Sequence, residues 1–128
     1  MMTNEQRVRA CAEKVMGWEV YNSPSGNTLA RFMDPSDGRI VRCLEHRHGI
    51  ATGGMWNPYT SDDHAFMLVD KLLAMGWRFR LQAWAGEWLC EVWPIGVLPH
   101  EGHIYSGLGD RRTAIVLAAL RAVGQEGE

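Results

Sequence analysis

The sequence predicts an α+β fold: an antiparallel sheet of four to five strands layered with three helices, α-β-α sandwich-like, as a single domain. Three observations carry this. Apolar residues recur at helical spacing in three separated stretches, around 8–16, 65–73 and 113–120. The segment from Trp77 to Trp93 instead alternates apolar and polar residues with the period of a strand. The strand runs are short and joined by tight Pro/Gly/Asp/Asn turns, which favours antiparallel neighbours. Helices mixed with mainly antiparallel strands give a layered α+β domain. A chain of 128 residues suits one such domain, with loops at 45–55 and 94–102.

The first helix is expected from Glu5 to Met16, with Asn4 as N-cap and Gly17 as the stop. Val8, Cys11, Ala12, Val15 and Met16 would form its inner stripe. Trp18, Val20 and Leu29–Met33 read as strand, interrupted by the turn-forming run from Asn22 to Asn27. The turn Asp34-Pro35-Ser36-Asp37-Gly38 joins Ala30–Met33 to Ile40–Leu44 as a hairpin. Residues 45–55 carry three glycines and no usable period, and are expected to be a loop.

Thr60 or Ser61 then caps a second helix, with Asp62 and Asp63 at its positive end. Its buried stripe is Ala65, Leu68, Val69, Leu72 and Leu73, and Gly76 ends it. Both helices finish in Met-Gly-Trp, a shared way of stopping that does not amount to a repeat.

In the Trp77–Trp93 hairpin, a turn at Ala85-Gly86 sets Trp84 opposite Glu87. That register gathers Trp77, Phe79, Leu81, Ala83, Trp88, Cys90 and Val92 on one face. It sets Arg80 across from Glu91 and Arg78 across from Trp93, pairs worth roughly 0.2–1 kcal/mol each. An odd-length loop would turn Glu91 inward and is rejected. After the Pro/Gly-rich link, His103–Ser106 is expected as a short edge strand. The last helix opens at Asp110 and runs to Gly124. Its interior is apolar nearly all round, with small residues at Ala114, Ala118 and Ala122, so it belongs at the centre of the core or in a subunit interface.

Composition excludes several classes. Hydrophobic residues at 46% and charged ones at 22% are those of an ordinary globular protein. Thirteen Lys+Arg against fifteen Asp+Glu leave a net charge of −2, so no basic field is present to hold nucleic acid non-specifically. No apolar run approaches the ~18 residues of a membrane span, and the polar start lacks a signal-peptide core, so a cytoplasmic location is expected. Three widely spaced cysteines, Cys11, Cys43 and Cys90, read as reduced thiols. The unusual features are six tryptophans and eleven arginines against two lysines.

The segment Ala12-Glu13-Lys14-Val15-Met16-Gly17-Trp18 resembles the start of the phage ABA sandwich domain family. Trp56-Asn57-Pro58, followed by a capped helix carrying Val69 and Leu72, is similar to that family's middle. Ala114-Ile115, Ala118-Ala119-Leu120 and Arg121-Ala122 look like its closing helix. The resemblance spans most of the chain but not the 45–55 loop or the Pro94–His103 insert. It implies a small accessory protein of a tailed bacteriophage or prophage, placed in the infected bacterial host, with no reaction to carry over. By analogy with such accessory proteins, an anti-defence role is expected.

Candidate chemistry is sparse. Cys43, His46 and His48, with His100 and His103, lack the paired spacings of a zinc module, so no metal or other cofactor is expected. The serines lie in turns and caps, no nucleophile elbow is present, and Asp62-Asp63 is explained as a helix start, so no catalytic residue is assigned. Gly107-Leu108-Gly109-Asp110-Arg111-Arg112 reads as a glycine loop opening a helix beside two arginines, a geometry that favours an anion. The outward face of the hairpin offers Arg78, Arg80, Trp84 and Trp93, with Trp56 and Asn57 nearby. Tryptophan beside arginine stacks on planar ligands and dominates binding hot spots. The alternative for this face is burial under a helix layer.

The expected ligand-binding set is therefore Trp56, Asn57, Arg78, Arg80, Trp84, Trp93, Arg111 and Arg112. The expected function is capture of a small nucleotide-like signalling molecule, without chemistry, by a homo-oligomer. The second expectation is an inhibitor of a host or phage protein using the same surface, and the third a virion or scaffold component.

Overall fold

A computed structural model describes residues 3–21, 31–42, 56–96 and 104–124. Helix α1 (Asn4–Ala10) begins one residue earlier than expected, because Thr3 rather than Asn4 is the cap. The Thr3 hydroxyl accepts from the Gln6 N–H, and the Gln6 side chain accepts from the Thr3 N–H, which satisfies two helix-end donors together. The helix then widens into a π-helical turn, Cys11–Val15, closed by Met16 N–H donating to the Cys11 carbonyl at 2.9 Å. Cys11, Ala12 and Val15 are all buried there.

Strands β1 (Glu19–Tyr21), β2 (Arg31–Met33) and β3 (Ile40–Arg42) form one antiparallel sheet. The β2–β3 turn is held by Asp34, whose carboxylate accepts from the Ser36 N–H and hydroxyl at 2.9 and 2.7 Å. Phe32 is this sheet's fully buried contribution to the core. The expected run at 22–30 and the 45–55 loop lie outside the described residues, as does Cys43.

Ser61 caps helix α2 (Asp62–Ala74) by accepting from the His64 N–H. Ala65, Leu68, Val69 and Leu72 are buried as the stripe requires, whereas Leu73 is 43% exposed. The stripe is one residue narrower than the pattern suggested, because position 73 turns past the edge of the packed face. Gly76 stops the helix with φ of 97° and leads directly into the second sheet.

That sheet is antiparallel in the order β4-β5-β6, built from β4 (Trp77–Trp84), β5 (Glu87–Pro94) and β6 (Tyr105–Gly109). The hairpin register is the expected one: Trp84 faces Glu87, Arg80 faces Glu91 and Arg78 faces Trp93. Both turn residues, Ala85 and Gly86, have positive φ (51° and 85°), the twist a two-residue hairpin loop needs. Strand β6 starts and ends later than the expected 103–106, and it absorbs Gly107 and Gly109. These glycines therefore do not form a loop before the helix.

The α+β class holds, with three helices and antiparallel strands. Among the described residues the strands divide into two three-stranded sheets, instead of one sheet of four to five. Helix α3 (Arg111–Ala122) is the hub of the core, packing against β5, β6, α2 and the π-helical turn. Ala114, Ile115, Val116, Ala118, Ala119 and Leu120 are all buried, which uses its all-round apolar surface within the chain.

The small residues have a specific purpose. A Cβ on Gly107 would lie 2.2 Å from the Ala114 carbonyl oxygen and 2.7 Å from the Ala118 nitrogen, so glycine opposite alanine lets β6 and α3 touch backbone to backbone. Cys90 and Val92 of β5 lie under the same helix, with Leu81 and Phe79 of β4 half-buried beside them. The opposite face of this sheet has no helix over it among the described residues.

Candidate functional site

The open face of the β4–β6 sheet places Arg78, Arg80 and Trp93 as the alternation requires. Arg78 and Arg80 are exposed and Trp93 is half-buried. Arg80 donates through Nε and Nη2 to one Glu91 oxygen, at 2.9 and 2.7 Å, and its guanidinium carbon lies 5.7 Å from the Trp93 ring centroid. Leu108 on β6 extends the same face and is 45% exposed. The backbone of Trp84 closes the hairpin on this face, and its side chain lies outside the description.

Trp56 and Asn57 are not part of that surface, and their expected place beside it is corrected. Trp56 is buried edge-on against Trp18, with ring centroids 5.0 Å apart, and its indole N–H has no hydrogen-bond partner among the described residues. Asn57 is buried too. Its backbone N–H donates to His64 Nδ1 at 2.9 Å, and its side-chain oxygen accepts from the Tyr59 N–H. The Trp-Asn-Pro segment is thus a folded brace for the start of α2. A sequence with turn residues on one side of a tryptophan gives no sign of which side of the fold it will face.

Arg111 and Arg112 form a second constellation with a residue that sequence reasoning had placed only in the first turn of a helix. Arg111 grips Asp62 with two hydrogen bonds, Nε to Oδ1 at 3.2 Å and Nη2 to Oδ2 at 2.6 Å, while Arg112 Nε donates to Oδ1 at 3.0 Å. One carboxylate at the start of α2 therefore joins two guanidiniums at the start of α3. Arg111's hydrogen bonds, then Arg112's, hold the Asp62 carboxyl below its ordinary value against some desolvation. The neighbouring Asp110 is also lowered, first by the Thr113 N–H that it accepts as N-cap.

A recess of about 360 Å³ opens here, lined by Trp88, Asp110, Arg111 and Arg112. Trp88 is the residue that sequence reasoning missed. It falls on the apolar side of the hairpin, but it pairs with Gly109 at the end of β6, where glycine leaves room beside the ring.

Other chemistry finds little footing. Burial pushes the Cys90 thiol up to about 12, with Glu91 adding to it, so this sulfur is protonated and inert. Cys11 is fully buried. Among the described residues no cluster of three or more His, Cys, Asp or Glu could hold a metal ion. His46, His48, His100 and His103 lie outside those residues. No helix among them is long and apolar enough to cross a membrane. No family model, curated protein or solved structure matches the chain.

Proposed function

We propose that this chain is a non-catalytic binding protein that captures a small nucleotide-like anion in the recess at the start of α3. The observation that carries the reading is the pairing of one tryptophan with two arginines around a volume in the range of small-molecule sites, ~300–1,000 Å³. Trp88 offers a ring for a planar base. Arg111 and Arg112 already hold one carboxylate between them, and a phosphate presents the same forked acceptor geometry. Asp62 is then a resident stand-in that a more highly charged ligand would displace. Asp110, which also lines the recess, is held by the N–H and hydroxyl of Thr113, with Arg112 the nearby positive charge.

The wider setting, a small phage accessory protein acting against host defence, rests on the sequence resemblance. Native mass spectrometry of protein freshly purified from a bacterial lysate tests the capture. The expected result is extra mass of nucleotide size over the denatured chain, lost in an Arg111→Ala/Arg112→Ala variant. A bare chain whose melting temperature is unmoved by a panel of purine and pyrimidine nucleotides at millimolar concentration would overturn it, because bound ligand must stabilise the fold by mass action.

A second reading has its own observation. Arg78 and the Arg80–Trp93 pair, with exposed Leu108 beside them, lie on a face that no described helix covers, and Arg and Trp dominate interface hot spots. A protein partner docked there would be lost in Arg78→Glu and indifferent to changes at Arg111.

A further inference from the structure

The two outer edges of the β4–β6 sheet are not equivalent. At β6 the Ser106 carbonyl is taken by the Arg121 guanidinium reaching over from α3, and the strand is only five residues long. At β4 the edge is eight residues long and terminal in the sheet order. The two-residue turn makes Trp84–Glu87 a hydrogen-bonded pair, and alternation then turns Gln82, Arg80 and Arg78 inward toward β5. Ile95 N–H donating to the Gly76 carbonyl at 2.7 Å continues that even-numbered series. Phe79, Leu81 and Ala83 are thereby left with their N–H and C=O groups directed to an edge that no described strand pairs, a template for another strand.

The packing beneath this edge is unfinished. Cys90 and Val92 on β5 are each 1% exposed, whereas Leu81 and Phe79 beside them are half-buried and Ala83 is exposed. The apolar face thus runs out to the β4 edge, where α2 is the helix in contact with β4 and, among the described residues, no further strand closes it.

We infer that the occupant is a second copy of this chain, joined antiparallel through β4 about a two-fold axis at Leu81. Directly opposed residues share a face, so a two-fold normal to the sheet allows only registers centred on a residue. Centring on Phe79 opposes Arg78 and Arg80, and centring on Arg80 opposes Arg80 to itself. Both are like-charge pairs and are disfavoured. Centring on Gln82 shortens the overlap. Centring on Leu81 sets Arg80 against Gln82 and Arg78 against Trp84, and matches Leu81 to Leu81 and Phe79 to Ala83 on the covered face. The product is a six-stranded sheet with both α3 helices on one side and a doubled Arg/Trp face on the other.

Sedimentation velocity of the full chain over a concentration series tests this. A monomer–dimer equilibrium is expected. Gln82→Glu, which faces Arg80 of the second copy twice, should tighten it roughly threefold to tenfold, and Gln82→Arg should loosen it by a similar factor. Circular dichroism melts of the two variants serve as the check that each chain still folds. A monomer throughout, or an assembly whose constant is unmoved by residue 82 or moves the same way in both variants, would overturn the inference. The recess at α3 is not involved, so the result stands apart from the ligand test.

Discussion

The two faces of the β4–β6 sheet carry neighbouring residues under opposite demands. On one side Cys90 and Val92 are buried under α3, and Gly107 beside them has no room for an added carbon. On the other, Leu108, Arg78 and Arg80 are exposed, and among the described residues an Arg80–Glu91 ion pair and an Arg80–Trp93 ring contact tie that face together. Alternation assigns each residue to its face. The energies differ because a covered side chain meets fixed backbone, while an exposed one meets water that can move aside.

The sharpest way to break this contrast uses two adjacent residues. Gly107→Ala should cost about 3 kcal/mol or more, since the new carbon meets main-chain atoms of Ala114 and Ala118 and only a shift of α3 would relieve it. Leu108→Ala, one residue along, should stay within about 0.5 kcal/mol. Urea unfolding midpoints of the two variants measure both. A mild Gly107→Ala would mean that α3 can retreat and that the small-residue contact is not what fixes the helix against the sheet.

These differences were legible in the sequence only where local rules decide them. The hairpin register followed from a two-residue turn plus alternation, because an odd-length loop would have buried Glu91. The Asp110 cap followed, and the second helix's cap was narrowed to Thr60 or Ser61, because a Ser, Thr or Asp ahead of an apolar stripe satisfies the first N–H groups of a helix. Long-range pairings carried no such signal. Asp62 lies 49 and 50 residues from the two arginines that hold it, and each group has a sufficient local explanation as a helix-end residue. Trp56 looked like surface for the same reason, since the tryptophan packed against it, Trp18, lies far off in the sequence. The π-helical turn left no mark at all, because an inserted hydrogen-bond step changes no residue type.

A smaller effect comes from the helix ends that flank the recess. Asp110→Ala should cost about 1 kcal/mol through the lost cap on Thr113. Asp62, Asp110 and Asp34 all have carboxyl groups held below the ordinary value of 3.8 in the fold. The unfolded chain therefore binds protons first as pH drops, so their stabilisation is complete above the ordinary value and is lost as pH falls through the folded ones. Melting temperature should fall steeply below about pH 4 in the native chain. The slope should flatten in Asp62→Asn/Asp110→Asn, and an unchanged slope would place the acid sensitivity elsewhere.

The smallest effect is the most informative about the open face. Arg80 is 50% exposed and Glu91 15%, so the charge on one side is largely solvated while its partner is not. A double-mutant cycle with Arg80→Ala and Glu91→Ala should give a coupling of about 0.2–1 kcal/mol, shrinking in molar salt. Repeating the cycle with Trp93→Leu separates the ion pair from the ring contact, since only the latter loses its acceptor face. A coupling that survives both salt and the loss of Trp93 would mean that water does not reach this face in solution. Something must then lie over it, and the second copy joined through β4 would not suffice, because that copy extends the sheet sideways and leaves the Arg/Trp surface uncovered.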